Sequence, residues 1–255
     1  YENATLKLYD IPIFYFPRFF HPDPTVKRQS GFLAPQFSQS KNKGNYVSIP
    51  YFNAISDSSD LTFSPRLYDG GKSIYQTEYR NYKKNSKHLV DFSIKNENSL
   101  PFEKKSNSAT HFFLKSEFDL NLINFDETKI DLQIQQTSQD NYLKKYQLKS
   151  PLITSLTGLH SKLNFMSTRE DLEIQVGAEV YENLSLLKSD RYEYIYPSFN
   201  MIKNIKEFNS GNLSLKSNGY NKQFNTNINE KIFINDLTYN SNNNVSLNGL
   251  INNFE

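Results

Sequence analysis

Apolar and polar residues alternate with a period of two along most of this chain, and the spacing of an amphipathic helix is almost absent. In the stretch SATHFFLKSEFDLNL, one phase is apolar apart from small hydroxyl residues, while the other carries His111, Lys115 and Glu117. The same separation recurs in KIDLQIQ, residues 129–135, and in EDLEIQVGAEVYE, residues 170–182. Alternation of this kind predicts strands with one apolar and one polar face, and therefore an all-β protein.

Many of the predicted strands are about ten residues long, which is the length that a tilted strand needs to cross a bilayer. In an outer-membrane barrel the apolar phase faces lipid and the polar phase faces a water-filled lumen. The residues expected on the lipid face include Phe112, Leu114, Phe118, Leu132, Ile174 and Val176. Those expected on the lumen face include Lys115, Glu117, Asp131 and Glu173.

A soluble β-sandwich would show the same alternation, because its apolar faces meet each other and its polar faces meet water. Two details favour the barrel. Full charges lie deep inside long strands, and tyrosines gather near the predicted strand ends, as in the aromatic girdle of a membrane protein. These tyrosines are Tyr46, Tyr68, Tyr82, Tyr142, Tyr146, Tyr192, Tyr194 and Tyr196. Alternation leaves both folds open at this point.

One short helix is predicted within SQDNYLKKY, residues 138–146, with Ser138 or Asp140 as its N-cap. It would lie in a loop between two strands.

Composition argues against several other classes of protein. Among 255 residues, 29 Lys and Arg stand against 27 Asp and Glu, with both signs scattered, so the basic footprint of a nucleic-acid-binding protein is missing. The sequence contains no cysteine, which excludes disulfides and thiolate chemistry within it. The longest apolar run, IPIFYFPRFF, is too short for a transmembrane helix and is interrupted by proline. Membrane-spanning strands remain compatible with this composition.

Prolines interrupt the first predicted strands of the sheet. The stretch GFLAPQFSQSKNKGNYVSIPYFNAI reads as a strand, a turn and a second strand, with Pro35 and Pro50 inside the strands. A turn at residues 42–43 would place these prolines directly opposite each other, and a turn at residues 57–58 would place Pro50 opposite Pro65. The same register would put Leu33, Phe37, Phe52, Leu61, Phe63 and Leu67 on one apolar face with them. Because proline donates no backbone hydrogen bond, this row predicts a weak ladder.

The run DIPIFYFPRFFHPDPTVKRQSGFLAPQF is long and unusual, and it is followed by SIPYFNAISDSSDLTFSPRLY and by EYR at residues 78–80. Over residues 10–82 these motifs resemble the LptD family, also called OstA or Imp, whose members assemble lipopolysaccharide in the Gram-negative outer membrane. DNYLKKY at residues 140–146 and DRYEYIYPSF at residues 190–199 are weaker matches.

The resemblance implies a periplasmic jelly-roll domain followed by a very large antiparallel transmembrane β-barrel. Residues 1–20 would be the last strand of the jelly roll with a linker. Residues 21–255 would be the N-terminal portion of the outer-membrane barrel, with about 10–12 strands present. We therefore expect a partial barrel, and a chain that is a fragment of the family's full length.

The resemblance also implies a function without catalysis, namely insertion of lipopolysaccharide into the outer leaflet through a lateral gate at the first strand. Pro35 and Pro50 match the gate prolines of the family, and Pro65 extends the set. The implied partners are lipopolysaccharide, an LptE-type plug lipoprotein, an LptA-type periplasmic bridge reached through the missing jelly roll, the barrel-assembly machinery and outer-membrane lipid. No cofactor and no nucleic acid is expected. A porin or nutrient-transport barrel is the alternative, and a soluble β-sandwich binding domain is a third hypothesis.

Few other residues suggest chemistry. Lys27 and Arg28 are candidate contacts for lipid phosphates near the seam, through charge-assisted hydrogen bonds, or else are solvated charges. The motif HPDP at residues 21–24 is typical of a stiff linker. The histidines show no metal-ligand spacing, and no serine lies in a nucleophile elbow, so neither a metal site nor catalysis is predicted. A phospholipase would need a serine beside His111 or His160 on an adjacent strand.

Overall fold

The computed structural model describes residues 2–8, 10–18, 28–39, 44–97, 108–208, 211–242, 244–245 and 251–252. Short strands come first: β1 (Glu2–Leu8), β2 (Ile11–Arg18), β3 (Gly31–Phe32), β4 (Gln36–Ser38), β5 (Tyr46–Ser48) and β6 (Tyr51–Ser56). Longer strands follow: β7 (Ser59–Tyr68), β8 (Lys72–Lys83), β9 (Ser86–Glu97), β10 (Ala109–Asp119), β11 (Glu127–Thr137), β12 (Gly158–Arg169), β13 (Leu172–Asn183), β14 (Tyr192–Phe208), β15 (Gly211–Phe224) and β16 (Ile228–Ser241). The last two are β17 (Asn244–Val245) and β18 (Ile251–Asn252), and one helix, α1 (Tyr142–Tyr146), lies between β11 and β12. No helix in these ranges is long and apolar enough to cross a membrane.

One antiparallel sheet of 14 strands contains most of the protein. Its strands follow chain order from β16 to β7, and β7 then pairs with both β5 and β6. Strand β5 continues the sheet to β4, and β6 continues it to β3. Two further sheets have two strands each, β1–β2 and β17–β18. The all-β prediction is confirmed, and the large sheet is consistent with a partial antiparallel β-barrel.

The described part of residues 1–20 forms a hairpin, not the single strand that the sequence suggests. Strands β1 and β2 pair from Glu2 and Arg18 inward, and Asp10 lies at the turn with a φ of 63°. Aspartate tolerates this left-handed conformation because its short side chain can hydrogen-bond locally. The assignment of this hairpin to a jelly roll stays a prediction.

The chain divides into two compact units. The first unit comprises Tyr1–Leu114 and Gln136–Thr154, and the second comprises Lys115–Gln135 and Ser155–Glu255.

The first two strands of the large sheet are each broken where a proline stands. Residues 33–35, which end in Pro35, separate β3 from β4, and Ile49 and Pro50 separate β5 from β6. In contrast, β7 is continuous although it contains Pro65. Proline therefore coincides with a break in two of these three strands.

The register predicted for these strands is wrong by one residue in β4–β5 and in most of β6–β7, and by two residues in β3–β6. Gln36 pairs with Ser48, so the β4–β5 ladder places Ile49, not Pro50, across from Pro35. The turn at residues 57–58 forms as predicted, but the β6–β7 ladder shifts between Ala54 and Ser56. A bulge there places two residues of one strand opposite one residue of its partner, so every later pair moves by one position. Alternation of residue types does not reveal such a bulge.

The predicted row of three opposed prolines is consequently absent. Pro65 pairs with Tyr75 of β8. The ladders on either side of Pro50 place Ser64, one residue before Pro65, across from it. The carbonyl of Pro50 accepts a hydrogen bond from the Leu33 backbone N–H (2.8 Å).

The large sheet has an exposed apolar face in the first unit, which we name the outer face, and a covered inner face. In the second unit the outer face is the one that carries Val176, and the inner face is the one that carries Gln175. Phe63 and Leu67 of β7 are exposed on the outer face, whereas Asp60 and Arg66 are buried on the inner face. Phe52 belongs to the inner face as a consequence of the register shift, so the single apolar face predicted to include it is wrong.

The residues predicted for lipid and for the lumen lie on opposite faces of β10, β11 and β13, because successive strand residues point to opposite sides. Of the first set, Phe112, Phe118 and Val176 are exposed, while Leu114, Leu132 and Ile174 are half-buried. Of the second set, Lys115 and Glu117 form an ion pair (Nζ···Oε1 3.0 Å), and Asp131 and Glu173 are half-buried. Contact of the first set with lipid stays a prediction.

Candidate functional site

The first candidate site is the proline-interrupted strand pair, which we define as β3–β4 together with β5–β6. Three described residue pairs join β4 to β5, and two join β3 to β6. By comparison, β15 and β16 pair without a shift along all 14 residues of each strand. Because backbone hydrogen bonds hold neighbouring strands together, the proline-interrupted strand pair has the weaker ladder of the two.

Arg28 lies just before β3 and pairs with a buried carboxylate. Its guanidinium contacts Asp60, which also accepts a hydrogen bond from Arg80 of β8 (Nε···Oδ1 2.7 Å). Arg28 also lies over the ring of Phe52, 5.9 Å from its centroid. The Arg28 side chain nevertheless stays 42% exposed, and its Nη1 also donates to the Asp57 carbonyl (3.5 Å). The other candidate phosphate contact, Lys27, and the HPDP motif lie outside the described residues.

The second candidate site is residues 138–154, which we name the inward segment because it packs on the inner face of the first unit. Five of its large side chains are buried: Tyr142, Leu143, Tyr146, Leu148 and Leu152. Burying an aliphatic or aromatic side chain of this size contributes about 1.5–3 kcal/mol each. The inward segment and the inner face beneath it therefore form a small buried core.

Helix α1 is shorter than predicted and has a different cap. It begins at Tyr142, with Asn141 in the N-cap position and no side-chain capping bond. The predicted cap Ser138 instead binds β10, where its hydroxyl accepts a hydrogen bond from the Thr110 N–H (2.8 Å). The helix ends at Tyr146, and the C-cap residue Gln147 has a φ of 45°. One turn is too short to be stable in water by itself, so packing on the sheet holds it in place.

Polar side chains of β8, β9 and β10 fasten the helix to the inner face. Ser93 Oγ lies 2.6 Å from His111 Nδ1 and 2.8 Å from the Tyr142 hydroxyl. His111 Nε2 lies 3.0 Å from Asp91 Oδ2 but makes no hydrogen bond among the described residues. The Asp91 carboxylate accepts its hydrogen bonds from the Gln76 amide (3.0 and 3.1 Å).

The combination of Ser93, His111 and Asp91 has the composition of a hydrolase triad, but its surroundings do not suit catalysis. None of the three is more than 1% exposed. The Ser93 hydroxyl also lies within hydrogen-bond distance of the Tyr142 hydroxyl, a side chain that is itself fully buried. A nucleophile needs both a base and a site for the reacting atom, and the second is missing here. The geometry therefore favours a structural fastening.

The other histidine considered as a catalytic candidate has different neighbours. His160 Nε2 lies 2.8 Å from Glu179 Oε2, and its ring stacks on Tyr181 at 4.2 Å. Among the described residues, no group of three His, Asp or Glu side chains is placed to hold a metal ion.

Four of the tyrosines predicted for a membrane girdle lie on the inner face instead. These are Tyr46, Tyr68, Tyr142 and Tyr146. Arg66, which is 7% exposed, donates a hydrogen bond to the Tyr146 carbonyl (3.1 Å) and lies 5.4 Å from the centroid of the Tyr46 ring. Sequence analysis missed Arg66 because its position in the polar phase suggests contact with water. The aromatic and leucine content of the inward segment was the signal that something covers this face.

A 14-stranded antiparallel sheet with an apolar outer face and a polar inner face is consistent with the class of large β-barrel proteins. A family model described as LptD protein matches residues 1–255. The chain belongs to the LptD family, as the motifs between residues 10 and 82 predict.

Several curated relatives are named LPS-assembly protein LptD. The one from Shewanella sp. (strain MR-4) is 42% identical over 78 residues, which cover 31% of this chain and 10% of the relative. That from Pseudomonas aeruginosa (strain UCBPP-PA14) is 33% identical over 95 residues, covering 37% and 10%. That from Pseudoalteromonas translucida (strain TAC 125) is 30% identical over 141 residues, covering 55% and 18%. The chain thus matches less than a fifth of the length of these relatives.

Proposed function

We propose that this chain is part of an outer-membrane barrel that inserts lipopolysaccharide into the outer leaflet of a Gram-negative bacterium, through a lateral gate formed by its first strands. The names of the relatives support the lipopolysaccharide, since each is called an LPS-assembly protein. The observation that carries the gate is the break of both first strands at Pro35 and Pro50. A porin or nutrient-transport barrel gives no reason for such breaks, and the family match argues against a soluble sandwich.

A gate between strands requires a ladder that opens at low cost. Within hydrocarbon an ordinary strand pair stays closed, because every unpaired backbone group costs several kcal/mol where water cannot replace its partner. The proline-interrupted strand pair has few backbone bonds to lose. In this proposal its strands separate, lipid moves sideways into the bilayer, and the strands pair again without any chemical step.

Lipid phosphates are proposed to meet Arg28 and Lys27 beside this seam. The exposed Arg28 side chain would form charge-assisted hydrogen bonds with phosphate oxygens. Its contact with Asp60 would hold the guanidinium in position before the lipid arrives. Pro65 is proposed as a minor member of the gate, because β7 is unbroken around it.

The proposed partners are lipopolysaccharide, an LptE-type plug lipoprotein, an LptA-type bridge acting through a jelly roll, the barrel-assembly machinery and outer-membrane lipid. We propose that a plug would contact the inner face of the second unit, since the inward segment already covers that of the first. Ion pairs such as Lys222 with Glu193 (2.9 Å) stay partly exposed there and offer polar contacts.

Substitution of the prolines tests the gate. Pro35→Ala and Pro50→Ala each restore a backbone donor and should raise the free energy of unfolding by about 0.5–1.5 kcal/mol where the donor finds an acceptor. Lipid delivery should fall, because a stiffer seam opens less readily. The two prolines lie on neighbouring strands, so the double variant should change stability and export more than either single variant, and a departure from additivity would measure their coupling. Pro65→Ala is the control within an unbroken strand, and its effect on export should be smaller.

Two measurements on the same variants are needed. One is the thermal stability of the purified protein in detergent, and the other is surface lipopolysaccharide, with resistance to large antibiotics, in cells. If stability rises while export stays normal, the prolines interrupt the strands without contributing to lipid export, and the gate proposal is wrong. Membership of the LptD family would be unaffected by that result.

A further inference from the structure

We propose that Arg66 is a positioning residue that couples the inward segment to β5, so that docking of the segment holds this part of the proline-interrupted strand pair in order. The coupling is a property of the first unit and does not depend on the proposed function. Its bearing on lipid export does rest on that function.

Arg66 stands at the point where β5 ends. It pairs with Ser48, the last residue of β5, directly before the break at Ile49 and Pro50. A guanidinium that is 7% exposed is costly unless its donors are bound. The Tyr146 carbonyl and the Tyr46 ring bind it from two sides.

Two of the groups that contact Arg66 belong to different parts of the first unit. Tyr146 is the last residue of helix α1, and Tyr46 is the first residue of β5. The Tyr68 ring completes the cluster, 5.1 Å from Tyr46 and 6.1 Å from Tyr146. Replacing Arg66 would therefore leave the Tyr146 carbonyl without its donor and would also remove the cation from the Tyr46 ring.

The inward segment has other attachments that do not involve Arg66. The Tyr142 hydroxyl contacts Ser93 (2.8 Å), and the Gln76 amide donates to the Lys149 carbonyl (3.1 Å). These contacts fasten the segment to β8 and β9. A change at Arg66 should therefore loosen β5 while the segment stays docked.

Strand β5 depends on such side-chain support because its ladder is short. It has three residues, which pair with three residues of β4 on one side and three of β7 on the other. Short ladders open locally more readily than long ones, and amide hydrogen exchange reports that opening.

Hydrogen exchange in the purified protein in detergent tests the coupling. Three proteins are compared with wild type: Arg66→Met, which keeps similar bulk, Arg66→Lys, which keeps a cation, and Arg169→Met, which removes an exposed arginine from the second unit. Arg66→Met should speed exchange of the β5 amides about tenfold or more, as expected for the loss of a hydrogen bond from a charged donor. Arg66→Lys should restore most of the protection, because an ammonium group can still donate to the Tyr146 carbonyl.

The amides of β15 and β16 show whether the fold is intact. The proposal is supported if β5 accelerates while β15, β16 and the Arg169→Met control keep wild-type rates. It is overturned if β5 is unchanged in Arg66→Met, if all strands accelerate together, or if Arg66→Lys behaves like Arg66→Met. If Arg66→Met speeds exchange in β5 but leaves lipid export unchanged, the gate proposal is contradicted and the role of Arg66 stands.

Discussion

The inner faces of the two units carry similar polar side chains in different surroundings. In the first unit Asp91, Ser93 and Lys95 lie under the inward segment, and each is at most 2% exposed. In the second unit the paired side chains of His160 and Glu179 are 30% and 23% exposed. Both faces arise from the same period-two alternation. Where another part of the chain covers the face, its polar groups are buried. Where nothing in the described structure covers it, they stay partly exposed to solvent.

The comparison shows where polar contacts matter for stability. A buried polar group must be bound, since losing its partner leaves an unsatisfied group that water cannot reach. An ion pair that water reaches contributes little, because solvent replaces either partner. Equivalent substitutions on the two faces should therefore differ several-fold in cost.

The largest difference is expected between Asp91→Ala and Glu179→Ala. Asp91→Ala removes the carboxylate that accepts hydrogen bonds from the Gln76 amide. It also removes the negative charge next to His111, and both neighbours are buried. We expect a loss of about 3–5 kcal/mol in the free energy of unfolding. Glu179→Ala removes a partly exposed partner of His160 and should cost about 1 kcal/mol or less. Chemical denaturation of both variants in detergent measures the contrast, and equal losses would show that burial is not the deciding factor.

Truncation of a buried leucine in the inward segment tests whether the segment is a true part of the core. Leu143→Ala should cost about 2–5 kcal/mol, because Leu143 is fully buried and its removal leaves a cavity. Leu187→Ala, in the exposed connection between β13 and β14, should stay within about 0.5 kcal/mol of wild type. Denaturation midpoints of the two variants decide the matter. A small effect at Leu143 would mean that the segment contributes little to the stability of the first unit.

Period-two alternation predicted the strands and the separation of their faces well, because side-chain direction follows directly from strand geometry. Phe112 and Val176, for example, are exposed on the predicted side. The same reasoning failed at the β6–β7 bulge, because one extra residue near Ser56 leaves residue types unchanged and still shifts every later pair.

Alternation also could not predict what covers a face. Tyr46 and Tyr68 were assigned to a membrane girdle from their positions near strand ends, yet they pack beneath helix α1. The alternation likewise gives no sign that Arg66 and Asp91 are buried. Burial of this face depends on contacts between residues far apart in the sequence, such as Arg66 with Tyr146, 80 positions away, which a local pattern does not contain. The proline breaks were visible in the sequence because their cause is local.

A charge placed on each face of one strand tests the lipid assignment of the outer face. Val176→Lys, near the middle of β13, should lower the free energy of unfolding by about 2–4 kcal/mol if its side chain meets hydrocarbon. Gln175→Lys is the matched control at nearly the same depth on the inner face, and it should have little effect. The measurement is unfolding of the protein folded into lipid bilayers. Equal tolerance of the two lysines would contradict the assignment of faces.

The smallest expected effect concerns alkaline pH at the inward segment. Burial raises the pKa of Tyr142 to about 12, above the value of about 10 for an exposed phenol. The folded state therefore favours the neutral phenol, which is hydrogen-bonded to Ser93. The associated stability is complete below pH 10 and is lost as the pH rises from about 10 towards 12, because the unfolded chain ionises first.

Tyr142→Phe has no proton to lose, so the difference in unfolding free energy between wild type and this variant should shift by up to about 2–3 kcal/mol, to the disadvantage of wild type, over that range. Denaturation of both proteins at a series of pH values measures the shift. A difference that stays constant with pH would show that the Tyr142 hydroxyl is already in contact with water, and that the inward segment does not seal the inner face of the first unit.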